Sequence, residues 1–193
     1  MSEKEYLINS KQQEEINILI TAKCRAVSNY IIEAVNKYNE DKPIREQVMM
    51  SAKRLQRILY FCNIEYMKKH NGENLFEDSF YAWPTGPVIP GIYYAYTSYY
   101  IGKNIPMYEG ERLKLTNEEK FLIHKILIQT QNLSTMDLIN ITNANNGPWQ
   151  RFYNEHDSKH NQIIPNDEMY NFYLNKTVFM QTQKEDLTLV KRK

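Results

Sequence analysis

The chain of 193 residues has few of the features that mark disulfide-bonded, secreted or membrane-spanning proteins. Its two cysteines, Cys24 and Cys62, lie in predicted amphipathic segments and lack the spacing of metal ligands. Such residues are typical of core thiols in a reducing compartment. No run approaches the ~18 consecutive apolar residues that span a membrane, and residues 1–15 lack the apolar core of a signal peptide. We therefore expect a soluble, cytoplasmic protein.

An excess of either charge is also absent. The 24 Lys and Arg residues are balanced by 23 Asp and Glu residues, so the formal net charge is +1. Proteins dedicated to nucleic acids usually carry a strong basic excess, so we do not expect nucleic acid as a partner. One predicted helix does carry a basic cluster of Lys53, Arg54 and Arg57, with Lys68 and Lys69 at its end. We interpret this cluster as a solvated helix face.

Signatures of catalysis are missing as well. The sequence has no glycine-rich phosphate loop, nucleophile elbow or kinase signature. The carboxylates of Glu73, Glu77 and Asp78 precede Trp83, but a polar loop before a strand contains such residues without any acid–base role. His124 lies between apolar residues of a predicted helix, and we interpret it as a surface or boundary histidine. We expect no catalytic residue and no cofactor.

The segment from His156 to His160 is the one arrangement that suggests a metal. Two histidines four residues apart can bind one zinc ion from the face of a helix, and Asp157 between them is like the Glu of zinc peptidases. Those peptidase histidines sit on a helix with an apolar stripe, whereas this stretch is polar throughout. We interpret it as an exposed loop and expect no structural metal. A metal-dependent hydrolase is therefore the weakest functional hypothesis.

Hydrophobic residues make up 42% of the chain, which is enough for a packed core. Apolar residues recur at three- and four-residue steps over residues 10–39 and, most regularly, over residues 47–69. Thr116 and Ser134 stand at predicted helix N-caps. Pro148 and Pro165 stand in predicted first turns, Gly72 is a plausible left-handed cap, and the last helix is predicted over Asn166 to Asn175. The fold class predicted is mainly α: a single compact helical domain of about seven or eight helices, with helix 47–69 as its spine.

A short aromatic strand, predicted over Phe80 to Trp83, is the minor β element of this fold. The partner of this strand is left open between Gln162 to Ile164 and Arg112 to Leu115. Residues 82–93 follow with three prolines and two glycines. Because proline fixes φ, donates no N–H and disfavours helix in the residue before it, we predict a stiff loop here. Trp83 is expected to be largely buried, and the loop to be a packed corner, a binding surface or both.

Tyrosine is frequent, with 15 residues, although a low-GC coding bias would explain much of this content. Five tyrosines fall in a helix that we predict from Pro90 to Ile101. A buried stripe covers only part of a helix, so some of them must be exposed, and exposed tyrosines suit protein interfaces. The candidate partner-binding residues are Trp83, Pro84, Thr85, Gly86, Pro87, Tyr93, Tyr94, Tyr96, Tyr99 and Tyr100.

Motifs within residues 22–175 carry a family resemblance. The pattern Ala82-Trp83-Pro84-x-Gly86-Pro87-Val88-x-Pro90-x-x-Tyr93 resembles the central motif of the SocA-like antitoxins, the Panacea family, which includes phage-associated GepA-type proteins. Upstream, Arg54-Leu55-Gln56-Arg57 before an apolar-aromatic run is similar to a second family motif. Weaker matches are Gly147-Pro148-Trp149, after Ile141-Thr142-Asn143, and Ile164 before a last short helix ending near Tyr173. The family often has a histidine at the position of Asn143.

The resemblance implies a Panacea-like domain over residues 22–175, between an N-terminal helical extension at residues 1–21 and a flexible tail at residues 176–193. It implies an antitoxin that neutralises a co-encoded toxin by direct protein–protein binding, without bond chemistry. Some SocA-like members are similar to adaptors that present their toxin to a cellular protease, so protease delivery is a second version of this function. The alternative is a phage or prophage accessory protein that inhibits a host defence factor. A homo-oligomer stays open.

Overall fold

The computed structural model describes residues 20–96, 105–108, 113–157 and 162–178. Within these ranges the protein has seven α-helices, one 3-10 helix at Ile44–Glu46 and one antiparallel pair of strands. The predicted class, mainly α with a minor β element near Trp83, is confirmed. The elements are α1 Ala22–Asn39, α2 Ala52–Lys69, β1 Tyr81–Trp83, β2 Gly86–Val88, α3 Pro90–Ala95, α4 Asn117–Thr130, α5 Thr135–Thr142, α6 Pro148–Phe152 and α7 Asn166–Tyr173.

Helix α2 is the centre of the fold, as predicted. Helices α1, α3, α4, α5 and α7 and strand β2 all pack against it. Twelve of its 18 residues are buried, so the helix is covered on nearly every side. Its apolar residues form one core with residues of α1, α4 and α7, among them Val27, Ile31, Ile126 and Met169. Cys24 and Cys62 are buried free thiols, as predicted for core residues, and burial raises the pKa of each.

Helix α2 begins five residues later than the periodicity predicts. Ser51 is its N-cap, because the side chain accepts a hydrogen bond from the backbone N–H of Arg54 at 3.2 Å. The residues directly before Ser51 are not helical, and Asn39 holds their backbone in place. The Asn39 amide accepts from the N–H of Val48 and donates to its carbonyl, both at 2.9 Å. The apolar Val48 therefore fits the helical spacing without belonging to the helix.

Local signals set the other helix ends as the sequence predicts. Thr116 and Glu119 form a capping box at α4, and Ser134 and Asp137 form one at α5. Pro148 is in the first turn of α6. Gly72 adopts a φ of +93° after α2. The last helix differs from its prediction in two ways. Pro165 is its N-cap instead of a residue of its first turn, and the helix ends at Tyr173 instead of Asn175.

The chain after β1 turns back as a hairpin, so the prediction of a stiff loop is wrong for residues 86–88, which form strand β2. Tyr81 pairs with Val88 and Trp83 with Gly86, which leaves Pro84 and Thr85 in the turn. On its other side, β1 forms backbone hydrogen bonds with residues 162–164, which were one of the two segments predicted as its partner. The N–H of Ala82 donates to the Gln162 carbonyl at 2.8 Å. In the described part of the chain β2 is an edge strand, where the missing N–H of proline is tolerated.

No helix of the described ranges combines the length and apolar character that crossing a membrane requires.

His124 lies half-buried on α4, in agreement with its interpretation as a boundary residue. Its Nε2 is 2.9 Å from the hydroxyl oxygen of Tyr30, and the two rings meet edge to face. Desolvation, together with the charge of Lys37, lowers the pKa of His124. The unfolded chain, where histidine has a pKa of about 6.5, therefore takes up a proton at higher pH than the folded protein does.

A loss of stability in mild acid follows from this shift. The contribution of neutral His124 is present above pH ~6.5 and decreases as the pH falls through that value toward the lowered pKa of the folded state. We expect the free energy of unfolding of the wild type to fall relative to that of His124→Gln between pH ~7.5 and ~5.5. Urea denaturation at a series of pH values measures this difference. Parallel curves for the two proteins would contradict the assigned shift.

Candidate interaction surface

Two polar side chains of α2 hold the hairpin from beneath. Gln56 exchanges two hydrogen bonds with Ile89: its Nε2 donates to the carbonyl at 3.0 Å, and its Oε1 accepts from the N–H at 2.9 Å. Arg57 donates from Nη1 to the Pro87 carbonyl and from Nη2 to the Thr85 carbonyl. Buried backbone groups need such partners. The Gln-Arg pair of the upstream motif therefore fixes the shape of residues 85–89.

Arg54 and Arg57 are 4% and 1% exposed, so their interpretation as part of a solvated helix face is wrong. Arg54 donates to the carbonyls of Thr130 and Leu133, at 2.7 Å each, where α4 ends. The carbonyl end of a helix favours a cation. Desolvation lowers the pKa of both arginines, that of Arg57 to about 10, so Arg57 is still charged at neutral pH. Sequence spacing alone did not show that these charges point into the protein.

Gly86 stands where the hairpin, α2 and α5 meet. Its φ of +115° is a conformation that residues with a side chain rarely adopt. A Cβ at this position would clash with Oδ1 of Asn143 and would lie 2.7 Å from Nη2 of Arg57. The glycine therefore allows the hairpin to approach both side chains. Asn143 is part of this close contact.

Aromatic rings from three elements form a surface above the hairpin. The ring of Trp83 is 4.9 Å from that of Tyr93 and 6.2 Å from that of Tyr94, and the two tyrosine rings are 5.5 Å apart. Trp149 of α6 donates from Nε1 to the Trp83 carbonyl at 2.8 Å, and its ring stacks on that of Tyr153 at 4.8 Å. We call these five residues the aromatic patch. Tyr93 and Tyr94 are 44% and 50% exposed.

The structure sorts the ten candidate residues of the sequence. Pro84, Thr85, Tyr93 and Tyr94 are exposed. Trp83 is intermediate in exposure, so most of it is buried, as predicted, and its ring lies against the rings of Tyr93 and Tyr94. Gly86, Pro87 and Tyr96 are buried, and Tyr99 and Tyr100 lie outside the described residues.

Burial removes Gly86, Pro87 and Tyr96 from the candidate contact residues. Gly86 and Pro87 lie over the guanidinium of Arg57, which reaches the hairpin from below. The hydroxyl of Tyr96 donates to the Pro106 carbonyl at 2.9 Å, and its ring packs on Tyr108 at 5.1 Å. These three residues shape the surface from inside the protein.

Trp149 and Tyr153 belong to the surface but were not among the candidates. The sequence indicated Trp149 only as a packing anchor beside Pro148, because nothing in the spacing links it to Trp83, 66 residues earlier. The one available signal was that both tryptophans stand in motifs of the same family resemblance. The structure joins these motifs by placing α6 next to β1.

The residues that were considered for metal binding or acid–base chemistry lack the surroundings of such a site in the described part of the chain. His156 is exposed, and His160 lies outside the described residues. Asp78 accepts hydrogen bonds from the backbone N–H and the hydroxyl of Thr21, the N-cap of α1, so its carboxylate has a structural role. Across the described ranges, no group of three or more His, Cys, Asp and Glu side chains is arranged to hold a metal ion.

About half of the chain matches a known family of proteins. Residues 55–150 match the family model described as "Antitoxin SocA-like, Panacea domain". The match begins in α2, includes the hairpin and α3, and ends in α6, so it contains four of the five residues of the aromatic patch. Residues 55–150 therefore carry a domain of the SocA-like Panacea family of antitoxins, as the sequence motifs indicated. No curated protein and no solved structure matches the chain.

Proposed function

We propose that this protein is an antitoxin that binds a co-encoded toxin protein directly and blocks it by covering its surface. The contact residues proposed are the aromatic patch and the turn residues Pro84 and Thr85. The observation that carries the proposal is the ring contact of Trp83 with the exposed Tyr93 and Tyr94 inside the region that matches the family. Aromatic side chains are the strongest anchors of protein interfaces, because they bring a large contact area with few rotatable bonds.

The support beneath the hairpin favours tight binding. A surface that is already in its bound shape loses less conformational entropy when a partner binds. Gln56 and Arg57 tie the backbone of residues 85–89 to α2, the most buried helix of the protein. The turn is therefore held in place from below while its Pro84 and Thr85 side chains face outward.

The functional unit we propose spans residues 22–175 and is longer than the matched range. Helix α1 lies before residues 55–150 and helix α7 after them, yet both contribute to the same core. Val27 and Ile31 of α1 and Met169 of α7 are fully buried. A chain limited to the matched range would expose this apolar surface, so we expect it to need both flanking helices to fold.

The direct test is rescue of growth in cells that express the toxin from the adjacent gene. We expect the double change Tyr93→Ala and Tyr94→Ala to abolish rescue and to weaken binding by at least about 30-fold, equivalent to ~2 kcal/mol. The fold should persist, because both side chains are about half exposed. Growth curves, copurification and thermal unfolding of the purified variant give the three measurements.

Phe121→Ala provides the matched control. Phe121 is 52% exposed, like Tyr94, but belongs to α4 rather than to the hairpin or α3. Its removal should leave rescue intact. Full rescue by the double tyrosine variant would move the interface elsewhere, and failure of the unaltered chain to bind any adjacent toxin would contradict the antitoxin function. A shortened lifetime of the toxin in the rescued cells would indicate delivery to a protease, whereas an unchanged lifetime would indicate masking alone.

A further inference from the structure

Two uncharged runs of sequence contribute four of the five residues of the aromatic patch. A quarter of the chain is charged, yet residues 79–102 and residues 138–150 contain no Asp, Glu, Lys, Arg or His. The first run contains β1, β2 and α3, and the second contains most of α5 and the start of α6. The runs are far apart in sequence, so their shared composition does not come from one local segment.

The described residues of these two runs meet in the fold and form one face. Trp149 in the second run donates to the carbonyl of Trp83 in the first. Asn143 in the second run stands against Gly86 in the first. The exposed polar residues that the described parts of the two runs contribute are neutral hydrogen-bonding groups: Thr85, Asn140, Asn145, Asn146 and Gln150. Asn146 lines a cavity with Arg151, Glu168 and Lys176, so this end of the face borders on charged residues, whereas the turn at Thr85 lies in the first run.

The charge that the structure places directly under this face is out of reach of a partner. Arg57 is 1% exposed, and its two Nη atoms already bond the carbonyls of Thr85 and Pro87. A carboxylate of a bound protein therefore has no guanidinium to pair with at the turn. At the turn, charges on the partner would lose water and gain no opposite charge in return, which weakens binding.

We infer that the face takes a toxin surface that is itself uncharged and apolar, so that the complex is held by aromatic packing and neutral hydrogen bonds. This inference rests on the proposed function and specifies the chemistry of its partner. An uncharged face also discriminates between toxins, because it rejects charged surfaces through their desolvation cost. Association without charge complementarity proceeds at the rate of neutral protein pairs, about 10⁵–10⁶ M⁻¹s⁻¹, instead of being accelerated electrostatically.

Salt dependence is the first test, using the purified full chain and the purified product of the adjacent toxin gene. We expect Kd to change by less than about threefold between about 50 mM and about 500 mM NaCl, since salt screens ion pairs and leaves apolar contacts in place. A Kd that rises tenfold or more over the same range would overturn the inference, although the binding itself would still support the antitoxin function.

Charge variants at Thr85 are the second test. Thr85 is exposed in the turn, so Thr85→Glu, Thr85→Lys and Thr85→Gln should all fold, which thermal unfolding verifies. The Gln variant controls for size, and we expect both charged variants to bind the toxin at least about tenfold more weakly than it does. The positive charge of Arg57 favours the Glu variant over the Lys variant, so weaker binding by both variants cannot come from Arg57.

The outcomes separate the two proposals. Weakening by both signs of charge, with a flat salt profile, supports an uncharged partner surface. Tighter binding by either charged variant than by Thr85→Gln would reveal a complementary charge on the toxin and overturn the inference. Absence of any binding by the unaltered chain would overturn the proposed antitoxin function and the inference with it.

Discussion

Gly86→Ala is expected to destabilise the protein far more than Gly72→Ala, although both glycines have a positive φ. At Gly72 a new Cβ would meet its nearest neighbour, the ring of Tyr170, at an ordinary 3.6 Å. Gly72→Ala should therefore lose only ~1–2 kcal/mol of stability, which is the cost of placing a residue with a side chain in a left-handed backbone conformation. At Gly86 a Cβ would clash with Asn143 and Arg57 as well, which adds ~1–3 kcal/mol of overpacking.

The environment of Gly86 leaves little room for relief. Arg57 is buried and bonded to two carbonyls, so its guanidinium cannot swing aside without losing them. Urea denaturation of the two alanine variants measures the difference directly. Adding Asn143→Ala to Gly86→Ala should recover part of the loss, because it removes the closest obstacle. Equal losses for the two single variants would show that the hairpin adjusts and that the close approach at Gly86 is not needed.

Arg57→Met is expected to lower both stability and toxin binding. The change keeps an unbranched buried side chain but removes both donors to the hairpin. The buried Pro87 carbonyl then lacks this partner, which costs ~1–3 kcal/mol. The cost of burying a charge is removed at the same time, so we expect a net destabilisation of about 2 kcal/mol. Toxin binding should fall with it, because the turn loses the contacts that hold its shape.

Arg57→Lys is the matched control, because lysine keeps the positive charge but lacks the planar guanidinium group with its two parallel donors. A single ammonium group does not reproduce two parallel donors, so we expect a loss of stability close to that of Arg57→Met despite the retained charge. Denaturation midpoints and toxin affinity are measured for both variants. A fully stable Arg57→Met would mean that the desolvation of the guanidinium outweighs its two hydrogen bonds. Normal toxin affinity of Arg57→Met would show that toxin binding does not depend on the hydrogen bonds from Arg57 to the hairpin.

Part of the candidate surface could be predicted from the sequence. The proline-rich run after Trp83 and the five tyrosines behind it pointed to the region in which Tyr93 and Tyr94 are exposed. The choice among these tyrosines could not be made from their spacing. Helix α3 ends at Ala95, so Tyr96 leaves the helical phase and turns inward to Tyr108, at a position that helical periodicity does not describe.

Tertiary contacts also explain the two misinterpreted arginines. On the sequence, Arg54 and Arg57 are charges on an otherwise amphipathic helix, and such charges usually face water. The carbonyls that accept from them come from the end of α4 and from the hairpin, 28 to 79 residues away. A buried charge becomes acceptable only when such partners are supplied, and their arrival depends on the complete fold.

The sequence by itself determined the helical class, the central helix, the capping boxes of Thr116 and Ser134, and the family of residues 55–150. These depend on residues within a few positions of one another, so the local pattern contains the information. Tertiary structure alone decided which rings form the surface, which charges are buried and why residue 86 is glycine. Each of these depends on groups that are distant in the chain and adjacent in space, such as Trp83 and Trp149 or Gly86 and Asn143.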